Sequence, residues 1–265
     1  MIRAFVEGVG LLGPGLQGWP AARRVLSGEE PLRSASTVIT ASELLPPAER
    51  RRTPVSVKLA LAVGQEAFEN AGRDAEYTAT VFTSSSGEAE TLHDLCEVLA
   101  SAEREVSPTR FHNSVHNAAA GYWSIATRSR EASTSLCAYD ASFTAGLVEA
   151  VTQVVSSGRA IGLIAYDQPY PEPLHSARPV LASFGTALVL APQATARTSA
   201  SVELSFLPGR EEPTRMPDSG LEKLRLGIPA ARALPLLEML ARGMDGHVVL
   251  DALAGTCVRA ALKPC

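Results

Sequence analysis

The chain has 265 residues, with 24 Lys and Arg against 28 Asp and Glu, a formal net charge of −4. Hydrophobic residues make up 46% and charged residues 20%, which suits a chain with a sizeable core and excludes a disordered one. The acidic balance argues against nucleic-acid binding, which needs a basic face, and no apolar run of about 18 residues points to a membrane span.

Residues 2–12 are rich in Ile, Phe, Val and Leu and end in Gly13-Pro14-Gly15, which predicts a buried strand and a turn rather than a secretion signal. Residues 19–27 suit a short helix with Pro20 in its first turn and Gly28 as its stop. The polar stretch with Pro46-Pro47 and Glu49-Arg50-Arg51-Arg52 reads as a solvated loop, with contact to an anionic ligand as the lesser alternative. Apolar spacing predicts a helix over 54–71 closed by Gly72. Residues 78–83 are strand-like, and Ser84-Ser85-Ser86-Gly87 reads as a strand-to-helix turn before an anion-binding nest. A helix over about 88–102 would then bury Leu92, Leu95, Val98 and Leu99.

In residues 111–127 the small residues Ala118, Ala119, Ala120 and Gly121 adjoin Tyr122 and Trp123. This predicts a helix from about Asn117 whose small face presses against another backbone. A strand over 132–138, a turn at 139–141, a helix over 142–157 closed by Gly158 and a buried strand over 160–166 follow. Residues 168–179 read as a surface loop, 182–191 and 200–206 as strands, and 209–220 as a linker. A helix over 229–242 and a last strand and turn over 246–253 end the pattern. Alternating strands and helices predict a layered α/β fold with a mixed sheet.

Cys96, Cys137, Cys257 and Cys265 are widely spaced, so they read as free thiols of a cytoplasmic protein rather than as disulfide or zinc ligands. His112 and His116 share the i, i+4 spacing of helical metal ligands. With no third ligand in view, a hydrogen-bonded core or interface role is preferred, and neither a metal nor a cofactor is expected. The chemically suggestive segment is the corner between strand 132–138 and helix 142–157. A helix N-terminus at a sharp turn points N–H groups at that turn and can support a nucleophile or an oxyanion. Asp140 stands there and reads first as a helix N-cap, second as a general base. Cys137 falls inside the predicted strand, where its side chain should be buried.

The runs SVHNAAAGYWSIAT (114–127), STSLCA (133–138), ASFTAGLVEA (141–150), AIGLIAY (160–166) and SFGTALVLAP (183–192), in this order, resemble the β-ketoacyl synthases of the thiolase-like superfamily over about residues 2–192. The resemblance implies an α/β, layered thiolase-like half fold (α-β-α) with a mixed sheet. It would place a ketosynthase-like domain over 1–208 and an extension over 209–265 packed on the same core. In that family the corner carries a cysteine. Alignment through Ala150 puts Asp140 at that position, followed by Ala141 and Ser142. An acyl–aspartate anhydride would be too labile for acyl transfer, and nothing here resembles the HGTGT-like motif of the family's second half. The chain thus resembles the ketosynthase-like subunits of aryl polyene and xanthomonadin-type pathways and the chain length factors of type II polyketide systems.

The resemblance implies a non-catalytic subunit that pairs with an active β-ketoacyl synthase and shapes its acyl tunnel, with acyl carrier protein involved indirectly. Phe111, His112, Asn113, His116, Asn117, Tyr122, Trp123, Cys137 and Tyr139 would then lie at the interface or tunnel. Two alternatives stand beside it. One is a stand-alone acyltransferase, decarboxylase or hydrolase of acyl thioesters that uses Asp140 with His112 or His116. The other is a scaffold that docks acidic acyl carrier protein through Arg50, Arg51 and Arg52.

Overall fold

A computed structural model describes residues 1–102, 104–207 and 211–265. The strands are β1 (Ile2–Gly13), β2 (Leu16–Gln17), β3 (Ala79–Thr83), β4 (Ser133–Leu136), β5 (Ile161–Asp167), β6 (Phe184–Ala191), β7 (Ala200–Leu207), β8 (Gly246–Asp251) and β9 (Cys257–Pro264). The helices are α1 (Trp19–Ser27), α2 (Pro47–Arg52), α3 (Val55–Ala71), α4 (Ala89–Ala100), α5 (Pro108–Asn113), α6 (Ala118–Thr127), α7 (Ser142–Ser157), α8 (Leu174–Ala177), α9 (Ser219–Gly227) and α10 (Leu234–Arg242).

Among the described residues the strands form one mixed sheet in the order β4-β3-β5-β6-β1-β7-β9-β8, with β2 paired to β1. Strands β4, β3 and β5 run parallel, and the other pairs are antiparallel. Successive strand residues serve opposite layers, as the two-residue period demands. Val81, Leu163 and Leu188 join the core under α7, α9 and α10, whereas Phe82, Ile164 and Val189 join the core under α3 and α6. The result is the layered α/β architecture with a mixed sheet that the alternation predicts.

Close backbone approach explains two glycines of β1. A Cβ at Gly8 would lie 2.0 Å from the Ala67 carbonyl oxygen, and one at Gly10 would lie 2.0 Å from that of Val63, so α3 can sit on β1 only because both lack side chains. On the same face Trp123 packs between Phe68 and Phe82, with ring centroids at 5.3 and 6.2 Å. Its ring fills the space left by Gly64, where a Cβ would stand 2.6 Å away.

Several expectations need correction. The Arg-rich stretch is not a loop but the short helix α2, with Pro47 in its first turn, and Arg50 donates to the carbonyls of Glu43 and Leu45. Of the four residues expected to be buried on α4, only Leu95 is deeply buried. Leu92 and Leu99 are 51% and 54% exposed, and α4 packs against α5. Strand β4 ends at Leu136, so Cys137 lies beyond it and is exposed, not buried. The 168–179 segment contains α8 and buries Gln168 and Tyr170.

The 209–220 linker and the 208/209 boundary fall partly on residues outside those described. Thr214 is tied to β8 by hydrogen bonds of 2.9 Å in both directions with Val249, and α9 begins at Ser219. The 229–242 helix opens as a 3-10 turn at Pro229–Ala233 before α10. Strand β9, which periodicity did not reveal, inserts between β7 and β8. No helix among the described residues is long and apolar enough to cross a membrane.

Candidate functional site

The corner between β4 and α7 is a 3-10 turn over Tyr139–Ala141. Its apex is Tyr139, which holds φ 54, a left-handed conformation that costs a non-glycine residue about 1–3 kcal/mol. Ser142 secures the turn: its hydroxyl donates to the Tyr139 carbonyl at 2.7 Å and accepts from the Ala138 N–H at 3.0 Å. Asp140 therefore does not cap α7, as the sequence suggests. Its Oδ1 accepts from Arg178 Nη2 at 2.7 Å, and its Oδ2 lies 3.6 Å from Arg232 Nη2. Arg232 also pairs with Asp251, and the Arg178 guanidinium stacks 3.7 Å over the Tyr139 ring. Both oxygens of the Asp140 carboxylate thus face guanidinium groups.

A buried chain of hydrogen bonds runs inward from this corner. Arg178 Nη1 donates to Tyr170 Oη at 2.5 Å, and Tyr170 Oη lies 3.0 Å from Ser85 Oγ. Ser85 donates to Asp167 Oδ1 through its hydroxyl at 2.7 Å and its N–H at 2.8 Å, and Ser84 Oγ adds a third bond at 3.2 Å. The Ala230 N–H reaches Asp167 Oδ2 at 2.8 Å. Burial pushes the Asp167 carboxyl up to about 6, against the pull of these donors. Donors of the Ser84–Ser85 turn are thus engaged by an internal carboxylate.

The residues singled out by sequence are dispersed around this corner. Cys137 donates to the Ser85 carbonyl at 3.2 Å, and His116 Nε2 lies 3.4 Å from the Ser84 carbonyl, so both touch the same turn. His112 belongs to α5, which ends at Asn113, so the two histidines do not share a helix face. Phe111 and His112 are exposed on α5, and Asn117 is exposed at the start of α6. Asn113, Tyr122 and Trp123 are buried within the chain. Asn113 accepts from Tyr122 Oη at 3.0 Å and donates to the Arg52 carbonyl at 3.1 Å. No group of three His, Cys, Asp or Glu side chains gathers among the described residues.

Sequence reasoning missed Asp167, Tyr170, Arg178 and Arg232. Only Asp167 left a local signal, an acid that ends an otherwise continuous apolar strand. Beside the corner lies an apolar groove of about 400 Å³, walled by Cys137 and Ala141, by Ala145 and Val148 of α7, and by Phe206 and Leu253.

The family profile described as "Beta-ketoacyl synthase, N-terminal domain" matches residues 19–224. The chain belongs to the β-ketoacyl synthase family. No curated protein matches its sequence. Among solved structures, this ketosynthase-like chain is similar to one in the complex of the ketosynthase ApeO with its chain length factor ApeC from Xenorhabdus doucetiae. The TM-score is 0.75 at 22% identity, over 98% of this chain and 100% of that one. It is similar to a chain of the ishigamide ketosynthase/chain length factor, with a TM-score of 0.71 at 16% identity, over 100% and 99% of the two chains. It is also similar to a chain of AntDE:AntF, a type II acyl carrier protein in complex with its ketosynthase. There the TM-score is 0.73 at 12% identity, over 100% and 99%. At these identities the likeness speaks for the ketosynthase fold.

Proposed function

We propose that this ketosynthase-like chain has no condensing activity of its own, pairs with an active β-ketoacyl synthase and shapes its acyl tunnel. The setting would be cytoplasmic fatty-acid or polyketide-type assembly such as aryl polyene synthesis. The observation that carries this reading is the corner itself. Its apex is Tyr139, and the neighbouring Asp140 is neutralised by Arg178 and Arg232, so neither offers a thiolate for acyl transfer. Cys137 is exposed nearby, but its hydrogen bond goes to a backbone carbonyl and not to an imidazole. Because Arg178 and Arg232 occupy both oxygens of the Asp140 carboxylate, the geometry weighs against the stand-alone enzyme that would use Asp140 as a base.

Support for pairing comes from the ketosynthase/chain length factor complexes whose chains share this fold. Strand β4 is a sheet edge with β3 as its one strand neighbour among the described residues, and an open edge can accept a partner. In this reading exposed Phe111, His112, Asn117, Cys137 and Tyr139 meet the partner or its tunnel, while His116 and buried Asn113, Tyr122 and Trp123 hold that surface in shape. Residues 209–265 act as one unit with the rest of the chain. Acyl carrier protein would dock on the complex.

Co-expression with a β-ketoacyl synthase encoded beside it, followed by mass measurement of the purified species, tests the reading. A stable hetero-oligomer whose product length depends on this chain is the expected result. A lone chain that stays apart from that synthase, with product length indifferent to it, would overturn the proposal.

A further inference from the structure

The hydrogen-bond direction along the buried chain behind the corner is fixed at both ends. The Arg178 guanidinium can only donate, and the ionised Asp167 carboxylate can only accept. Ser85 gives its one hydroxyl hydrogen to Asp167 Oδ1 at 2.7 Å, so at the 3.0 Å contact Tyr170 Oη donates to Ser85 Oγ. Tyr170 Oη in turn accepts from Arg178 Nη1 at 2.5 Å. Every hydrogen in the chain therefore points from the corner inward.

A proton added to Asp167 has one outlet. Among the described residues Oδ2 meets the Ala230 N–H, a donor, and nothing that accepts. Around Oδ1 the nearer oxygen is Ser85 Oγ, since Ser84 Oγ stands at 3.2 Å and already accepts from the Gly87 N–H at 2.9 Å. A neutral Asp167 thus donates from Oδ1 to Ser85 Oγ. The Ser85 hydrogen turns to Tyr170 Oη, and the Tyr170 hydrogen is displaced toward Arg178, donor against donor. The one covalent change is the O–H bond formed with a solvent proton.

We propose that Asp167 and Arg178 are the two ends of a proton-driven switch: protonation at the buried end reverses the Ser85–Tyr170 chain, frees Arg178 from Tyr170 and loosens the apex at Tyr139. Tyr139 can respond because its backbone is held in the left-handed region at φ 54, and one of its holds is the guanidinium 3.7 Å over its ring. Burial brings the Asp167 transition to about 6, so the switch works in mildly acidic solution. It does not depend on whether the chain pairs with a synthase.

The other titratable and charged groups on the elements that meet here are Tyr166, Glu88, His116, Cys137, Asp140 and Arg232. Burial raises the Tyr166 hydroxyl, and Glu88 is engaged by Gln168 Nε2 at 3.1 Å and the Thr91 N–H at 2.6 Å. Cys137 and His116 touch the carbonyls of the Ser84–Ser85 turn. Imidazoles titrate in the same range as the switch, so His116 is one competitor. Asp140 is the other, because it reaches Arg178 without Tyr170.

The test follows the full chain, labelled with carbon-13 at tyrosine Cζ, by NMR between about pH 5 and about pH 7.5, with signals assigned by single Tyr→Phe variants. Tyr139 and Tyr170 are expected to move together with a common midpoint of about 6. Asp167→Asn loses both transitions, Tyr170→Phe loses that of Tyr139, and His116→Gln keeps both.

A Tyr139 signal that is flat across this range would overturn the proposal. So would a Tyr139 transition that persists in Tyr170→Phe, which assigns it to Asp140, or one lost in His116→Gln, which assigns it to the imidazole. Should Asp167→Asn fail to fold, Tyr170→Phe, which keeps the ring, still decides.

Discussion

The guanidinium of Arg178 lies 3.7 Å over the ring of Tyr139, the left-handed residue at the apex of the corner. The same side chain reaches Asp140 on one side and Tyr170 on the other. One arginine therefore holds the strained apex, the acid next to it and the entry to the buried Asp167 network. The strain at Tyr139 persists because the contacts around it over-determine its conformation.

Arg178→Ala removes a cation–π contact and two charge-assisted or polar hydrogen bonds. A loss of roughly 1–3 kcal/mol in urea unfolding is expected. Arg178→Lys should recover only a small part, because a single ammonium cannot stack on Tyr139 and reach both Asp140 and Tyr170.

Asp140→Ala leaves Arg178 and Arg232 without their shared carboxylate and should lower stability by about 1 kcal/mol, in keeping with a partly exposed pair. Background thioester hydrolysis by the chain should stay unchanged. Asp140→Cys should add no condensation or decarboxylation of malonyl thioesters, since among the described residues no imidazole is hydrogen-bonded to the corner. Turnover by either variant above a buffer control would contradict the non-catalytic reading.

Asp167 sets a pH dependence of stability. Its folded value is about 6, raised from an unfolded 3.8, so the unfolded chain releases the proton first as pH rises. The contribution of this group therefore favours the fold below about pH 4, declines between 4 and 6 by roughly 3 kcal/mol at most, and is flat above. Urea unfolding at half-unit steps from pH 4 to 7 should show this decline superimposed on other groups, and Asp167→Asn should remove it.

Gly64→Ala drives a methyl against the Trp123 ring, where a Cβ would stand 2.6 Å from Cζ3. Helices α3 and α6 must part, at a cost of about 1–3 kcal/mol. A red shift in tryptophan emission with a lowered unfolding midpoint is the expected signature. Because Trp19 also contributes, the comparison is made in a Trp19→Phe background.

The amino-acid sequence alone made legible whatever depends on neighbours along the chain. Helix α3 with its Gly72 cap, α7 with Gly158 and the apolar strand β5 follow from local periodicity and glycine conformation, and their order carries the family likeness. Strand β9 escaped because its alternation of apolar residues with Arg259 and Lys263 resembles a polar tail until β7 and β8 flank it. Cys137 was misplaced because strand ends are set by pairing, and β3 pairs with β4 only as far as Leu136.

The candidate site was decided by tertiary structure. Ser85 and Asp167 are 82 residues apart, and Asp140 and Arg178 are 38 apart. The local pattern marks Asp167 as the end of an apolar strand, Asp140 as a corner residue and Ser85 as part of a turn, but it pairs none of them with its partner. Parallel pairing of β3 with β5 and the closing turn before α10 bring them together. Desolvation then gives a carboxylate and its donors an importance that composition and spacing cannot express.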